Sequence, residues 1–132
     1  MERVLWVGLG GFIGSVARYG LSGTVQEWYA REDFPLGTLV VNCLGCMTIG
    51  FLSELAEARG ALSAEARAFL FIGVLGGFTT FSSFGNETMN LLRDSERALA
   101  WLNVASHLFL GLGAVWLARV YRVRGESRGS LL

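Results

Sequence analysis

Four long stretches without a charged residue constrain the fold of this chain more than any other feature. They cover residues 4–17, 34–53, 68–86 and 98–118, and the first resumes after Arg18 as uncharged residues 19–26. A helix that crosses the bilayer core needs about 20 mainly apolar residues. The last three stretches have that length, and the first has it if one arginine is accommodated. The pattern predicts four transmembrane helices, over about 4–26, 35–55, 67–92 and 98–120.

The composition agrees with a membrane protein. Hydrophobic residues make up 52% of the 132-residue chain, the mean hydropathy is +0.47, and 17% of the residues are charged, against about 25% in soluble domains. We therefore predict an all-α integral membrane protein whose residues 1–132 form a single four-helix domain. The formal net charge is zero, which gives no electrostatic support for nucleic-acid binding.

The arginines indicate an orientation. An even number of spans puts both chain ends and the 54–67 loop on one side of the membrane. That side carries Arg3, Arg59, Arg67, Arg119, Arg122, Arg124 and Arg128. The opposite side carries Arg31, Arg93 and Arg97. Because cytoplasmic loops are enriched in basic residues, this bias favours cytoplasmic ends.

The first stretch contains GLGGFIGSVARY, in which Gly10 and Gly14 form a G-x-x-x-G pattern. This pattern allows another helix to approach closely in lipid. The same glycines resemble the turn of a dinucleotide-binding fold, which needs an acidic residue about 20 positions later, at the end of a second strand. Glu32 and Asp33 have roughly that spacing, but they lie in a polar loop before Pro35 and the glycine spacing differs. The helix is therefore favoured.

Arg18 is the only charge deep inside a predicted span. A buried membrane charge is costly and normally faces protein or water, where it marks a functional site. The alternative is that its long side chain reaches the interface near Tyr19.

The second span is predicted to begin at Pro35 and contains Asn42, Cys43 and Cys46. The Asn42 amide offers two donors and one acceptor, either to a ligand or to a neighbouring helix. The C-x-x-C pair lies inside an apolar helix, so we interpret it as two small packing residues and not as a redox site.

Residues 76–87 read GGFTTFSSFGNE, a run of glycines and hydroxyls inside an apolar segment. We expect the third helix to break at Gly76 and Gly77 with Thr79 and Thr80. A break frees carbonyls that can coordinate a cation, and the hydroxyls can donate to an anion or to the broken backbone. The phenylalanines, at steps of three, carry positive ring edges that attract anions weakly, although residues at this spacing are often only packing.

The fourth span places Asn103, His107 and Gly111 four residues apart, on one helix face. They form either a polar track or ordinary hydrogen-bonded packing.

The blocks GGFIGSVARY, PLGTLVVNCLG and GVLGGFTTFSSFGNE resemble the signature segments of the Fluc/CrcB fluoride channels, in matching order and spacing over nearly the whole chain. The resemblance implies a bacterial inner-membrane protein that exports fluoride passively from the cytoplasm. It implies two subunits paired antiparallel in a dual-topology homodimer with two pores. A central structural sodium ion would be held by the backbone carbonyls of Gly76 and Thr79.

The resemblance also implies the residues of the fluoride pore. Asn42 corresponds to the pore-side amide, Phe81 and Phe84 to the pore-lining aromatic pair, and Arg18 to a charge near a vestibule. The remaining polar positions are Thr80, Ser82, Ser83 and Glu87. The family often has serine or threonine on the pore face of the fourth helix, whereas this chain has His107, a candidate donor to fluoride.

Three alternatives stay open. A small dual-topology multidrug or cation antiporter also has four short spans, but it needs a membrane-embedded carboxylate, and Glu87 lies near the end of the third span. A non-transporting assembly factor would leave the hydroxyls unexplained. The arginine bias fits a pair of different subunits better than dual topology does. No acid–base pair, metal cluster or nucleophile is evident, so we predict no enzymatic activity.

Overall fold

The computed structural model describes residues 1–29, 33–59 and 62–129, without the side chains of 57–59 and 122–129. Its helices are α1 (Glu2–Tyr29), α2 (Leu36–Arg59), α3 (Ala64–Arg67), a π-helical segment (Ala68–Leu75), α4 (Gly76–Phe78), α5 (Phe81–Arg93) and α6 (Arg97–Gly129). No strand occurs in these ranges, which confirms the predicted all-α class. Arg31, counted above for orientation, lies outside the described residues, as does Glu32.

Four helical spans are long and apolar enough to cross a membrane. They are Glu2–Tyr29, Leu36–Ala56, Ala64–Arg93 and Arg97–Tyr121. The third span joins α3, the π-helical segment, α4 and α5. The prediction of four long apolar helices is therefore confirmed. Three of them extend beyond both ends of their uncharged stretches, and α2 extends only beyond the C-terminal end of its stretch. The strand-and-turn interpretation of residues 4–14 is wrong, because α1 passes through them without interruption.

A glycine seam, formed by Gly10, Gly14, Gly73 and Gly77, joins α1 to the first half of the third span. A Cβ added to Gly10 would lie 2.5 Å from the Phe69 carbonyl oxygen. One added to Gly77 would lie 2.6 Å from the Gly11 carbonyl oxygen. Real Cβ atoms do not approach other atoms so closely, so these positions bring the two backbones into direct contact. The predicted role of the G-x-x-x-G pattern is confirmed.

The second long contact pairs α2 with α6. It also depends on a glycine, since a Cβ on Gly50 would lie 2.8 Å from the Val115 carbonyl oxygen. The start of α2 is fixed by α1. Gln26 donates to the Phe34 carbonyl (3.1 Å) and accepts from the Gly37 amide (3.2 Å). The helix begins at Leu36, one residue after the predicted Pro35.

The third span is interrupted at the two threonines and not at the two glycines. Thr79 (φ −83°, ψ 156°) ends α4 in an extended conformation, and Thr80 (φ −148°, ψ 113°) precedes α5 in the same region. Gly76 and Gly77 stay helical, so the predicted break is seen in part. Gly77 is needed for close packing on α1. This packing explains why the residue is a glycine although the helix does not break there.

The interruption changes the neighbours of the third span. Before it, the π-helical segment and α4 pack on α1. After it, α5 packs mainly on α6 and touches α2. A π-helix is uncommon and is frequent near functional sites. The apolar sequence AFLFIGVL gave no indication of it.

Candidate functional site

A cavity of about 590 Å³ lies beside the interruption, between the third span, α2 and α6. Its lining includes the predicted site residues Asn42, Gly76, Thr79, Thr80, Phe81, Phe84 and His107. The structure therefore brings together residues that were selected from three separate segments of the sequence. Arg18, Ser82, Ser83 and Glu87 do not line it.

The Asn42 side chain and the Thr80 backbone form two reciprocal hydrogen bonds. Asn42 Nδ2 donates to the Thr80 carbonyl (3.0 Å), and the Thr80 amide donates to Asn42 Oδ1 (2.8 Å). In hydrocarbon, backbone groups freed by an interruption must find partners within the protein. Asn42 supplies a partner for both the amide and the carbonyl of Thr80. An amide nitrogen has two N–H groups, and Thr80 takes one of them.

The Thr80 hydroxyl caps the first turn of α5. Its Oγ1 accepts from the Ser83 amide (3.1 Å) and donates to the Ser83 hydroxyl (3.0 Å). A threonine N-cap satisfies one of the free amides at a helix start. The exposed Ser82 hydroxyl lies 3.2 Å from the same oxygen. The three hydroxyls thus form one small cluster at the start of α5.

Two phenylalanines and a histidine form a row of rings along the cavity. The Phe81 and Phe84 ring centroids are 5.4 Å apart with a 53° tilt between the planes. Those of Phe84 and His107 are 4.4 Å apart with a 42° tilt. Tilted pairs at such distances are favourable for aromatic rings. Phe84, on α5, is the central ring and contacts both Phe81 on its own helix and His107 on α6.

His107 is oriented by its own helix. Its Nδ1 lies 3.0 Å from the Asn103 carbonyl oxygen, and because a carbonyl can only accept, this nitrogen carries the proton in the hydrogen bond. Nε2 is buried and has no partner among the described residues. In the neutral ring it is an acceptor, and it offers an N–H to an anion only when the ring is protonated.

Arg18 reaches the interruption from α1. Its Nε donates to the Gly77 carbonyl oxygen (3.2 Å), one of the carbonyls that precede the interruption. The arginine is half-buried in the bundle. Arg18 therefore has a partner within the protein, at the end of the span half that packs on α1.

The carbonyls of Gly76 and Thr79 have lost their helical donors. In a continuous helix the Thr80 amide would donate to Gly76 and the Ser83 amide to Thr79. Here those amides donate to Asn42 Oδ1 and to the Thr80 hydroxyl. Neutral carbonyl oxygens are suitable ligands for a hard monovalent cation. The chemistry of this pair of oxygens fits the sodium site that the resemblance implies.

Glu87 lies at a second cavity, of about 410 Å³, in the space that opens between α1 and α5. Its Oε1 accepts from the Thr38 hydroxyl (2.6 Å), and Thr38 lines the same cavity. Its Oε2 is buried without a partner among the described residues. Glu87 is thus separated from the cavity of the aromatic rings.

Thr38, Cys46 and Thr88 were not predicted as site residues. Thr38, Asn42 and Cys46 are four residues apart on α2, and this spacing is a signal that could have identified the outer two. Cys46 lines the larger cavity, and its thiol and that of Cys43 are free. Thr88 bonds to Asn103 across the α5–α6 contact, which nothing in the sequence indicates.

Comparison with known proteins identifies the family. The profile described as "CrcB-like protein, Camphor Resistance (CrcB)" matches residues 5–119. The chain is 50% identical over 125 residues to the fluoride-specific ion channel FluC of Opitutus terrae, covering 93% of this chain and 94% of the relative. It is also 50% identical to FluC of Thermus thermophilus, covering 98% and 100%, and 46% identical to FluC of Methylobacillus flagellatus, covering 89% and 91%. This multi-pass membrane protein therefore belongs to the CrcB family.

Proposed function

We propose that this protein is a fluoride-selective ion channel, and not an enzyme, that exports fluoride passively from the cytoplasm. The observation that carries the proposal is the cavity at the interruption of the third span, lined by Asn42, Phe81 and Phe84. Relatives of nearly full length carry the name fluoride-specific ion channel. The whole chain acts as one transmembrane domain, in the inner membrane if its host is a bacterium.

The residues of the cavity suit a small, strongly hydrated anion. Removing such an ion from water requires hydrogen-bond donors that replace the lost hydration. Asn42 has a second N–H besides the one that Thr80 accepts. The edges of Phe81 and Phe84 attract anions weakly. Conduction needs sites that bind an ion and then release it, so weak neutral donors are better suited than a fixed positive charge.

Two copies of the chain assemble antiparallel in this proposal. In a single chain the interruption lies open: Gly76 is exposed, Ile72 is 64% exposed and Phe81 is 82% exposed. Interrupted backbone is tolerated at membrane depth only where protein or a wet cavity covers it. A second copy placed on this face provides the cover. Each copy brings its own cavity, which gives two pores.

A central sodium ion would be held where the two copies meet. The carbonyl oxygens of Gly76 and Thr79 have lost their helical donors, and the second copy would add its own pair. The positive charge of the ion would be stabilised by the negative ends of these carbonyl dipoles in a medium of low dielectric constant.

A stability measurement tests the sodium site without any measurement of flux. Sodium should raise the Tm of the detergent-solubilised protein in a concentration-dependent way, and potassium at equal ionic strength should not. Equal Tm values in both salts would refute the site.

The multidrug or cation antiporter receives no support. The relatives described above are named fluoride channels. The membrane carboxylate that proton-coupled export would need is Glu87, and it bonds to Thr38 away from the larger cavity.

Fluoride efflux from liposomes, read with a fluoride electrode, tests the proposed function. Wild-type protein should release fluoride rapidly and chloride only at a much lower, measurable rate. Phe84→Ile and Asn42→Ala should each lose most of the efflux. Phe109→Ile is the matched control, because the Phe109 ring is 73% exposed and lines neither cavity. No efflux from folded wild-type dimers would refute a channel made of this chain alone.

Orientation is tested by charge-sensitive reporters fused to the C-terminus. Dual topology should give reporter signal on both sides of the membrane. If every fusion were cytoplasmic, as the arginine bias favours, the antiparallel homodimer would be refuted and a second, different subunit would be required.

A further inference from the structure

We propose that Asn103 is a positioning residue of the fluoride pathway, which holds the Phe84–His107 ring pair in place from both helices. This inference rests on the proposed function and adds a residue that does not line the cavity. Asn103 lies on α6, one turn before His107, and its side chain reaches α5. It is 0% exposed. It is one of the two largest side chains that are fully buried in the described chain.

The backbone of Asn103 fixes one ring. Its carbonyl accepts from His107 Nδ1 (3.0 Å), which sets both the orientation of the imidazole and the nitrogen that carries the proton. The His107 ring then packs on Phe84 at 4.4 Å between centroids. The contact is between a cavity-lining residue of α6 and one of α5.

The side chain of Asn103 holds the helical turn that carries the other ring. Its Nδ2 donates to the Thr88 hydroxyl (2.9 Å), and that hydroxyl donates to the Phe84 carbonyl oxygen (2.7 Å). This chain of two hydrogen bonds ties the α5 turn that carries Phe84 to α6. Asn103 is therefore connected to each member of the ring pair by a separate route.

The amide is poorly explained by stability alone. Its Oδ1 is buried and has no partner among the described residues. A buried polar group without a hydrogen bond is destabilising, and an apolar side chain of the same size would avoid that cost. The hydrogen bond from the Asn103 amide to Thr88 orients the α5 turn that carries Phe84, and this role explains why an amide occupies the position.

The test uses substitutions on both sides of the tether in the full-length protein. Asn103→Leu removes the donor at similar volume, Thr88→Val removes the hydroxyl, and the third variant combines them. Thr48→Val is the matched control, because the Thr48 hydroxyl bonds only within its own helix, to the Leu44 carbonyl (2.8 Å). Fluoride and chloride efflux from liposomes are measured in parallel, because partial unfolding lowers both fluxes together and leaves their ratio unchanged.

We expect each single variant to lower the fluoride-to-chloride flux ratio by about three- to tenfold, the range that one lost hydrogen bond supplies. The double variant should match the single variants, since all three lose the same tether. Thr48→Val should keep the wild-type ratio. If Asn103→Leu does not fold, Thr88→Val alone carries the test.

An unchanged flux ratio in Thr88→Val and Asn103→Leu, with wild-type fluoride efflux intact, would overturn this inference alone. An equal loss of selectivity in Thr48→Val would also overturn it, because any lost hydroxyl would then have the same effect. Absence of fluoride efflux from the wild type would overturn the proposed function, and this inference with it.

Discussion

The two halves of the third span are held in place by different physical means. The half before Thr79 lies against α1 along the glycine seam, where the backbones meet directly. The half after Thr80 is held by side-chain hydrogen bonds from α2 and α6, through Asn42 and Asn103. Close packing tolerates almost no added volume, whereas hydrogen bonds tolerate volume but need matched polarity. The seam is therefore the structural half, and under the proposed function the hydrogen-bonded half is where ion selectivity would be adjusted.

The largest effect is expected at the seam. Gly14→Val places a branched side chain against the Val74 carbonyl and the Phe78 amide, which are backbone groups that cannot rotate away. We expect a loss of more than about 4 kcal/mol in the free energy of unfolding, which is exceptional for one substitution. The measurement is the Tm and the monodisperse yield in detergent.

Gly8→Val is the control on the same helix, since an added Cβ there meets nothing within 4 Å. The free energy of unfolding of Gly8→Val should stay within about 1 kcal/mol of the wild-type value. Similar losses in both variants would mean that α1 is sensitive to volume everywhere, and the seam would then have no special role.

A smaller effect is expected for Asn42→Leu, on the hydrogen-bonded side. The substitution keeps the side-chain volume but leaves the Thr80 amide and carbonyl unpaired. An unsatisfied buried polar group costs about 1–3 kcal/mol, so a loss of about 2 kcal/mol or more in stability should appear as a lower Tm. A stable Asn42→Leu variant with normal efflux would show that the interruption closes without this residue.

Adjacent threonines sharpen the comparison further. Thr80→Val removes the cap of α5, which should lower the free energy of unfolding by about 1 kcal/mol. Thr80→Ser keeps a capping hydroxyl and should retain the wild-type stability. Thr79→Val removes a hydroxyl that only donates to the Leu75 carbonyl of the preceding turn (3.0 Å), which already accepts from the Thr79 amide. The Tm of Thr79→Val should stay close to wild type. The reverse order of the two Tm values would contradict the assigned cap.

The spans could be predicted from the sequence because a single charge in hydrocarbon is costly, so uncharged stretches mark them directly. The cluster at the cavity could be predicted because hydroxyls and glycines are unusual inside an apolar segment. The site of the interruption could not, since it depends on which glycines α1 touches. Gly77 remains helical against Gly11, a contact that is distant in the sequence. For the same reason the Asn42–Thr80 pair and the Thr88–Asn103 tether became visible only in the folded chain.

The smallest effect is expected at an ion pair near the end of the seam. Arg3 Nε on α1 lies 3.5 Å from Glu65 Oε1 on α3, and the two side chains are 68% and 43% exposed. Exposed pairs gain little, because solvent screens the attraction and ordering two long side chains costs entropy. Arg3→Gln should leave the Tm unchanged within error. If it lowered the Tm as much as Thr80→Val, charge would contribute to the α1 contact, and the contrast between a seam held by packing and a half held by polar bonds would fail.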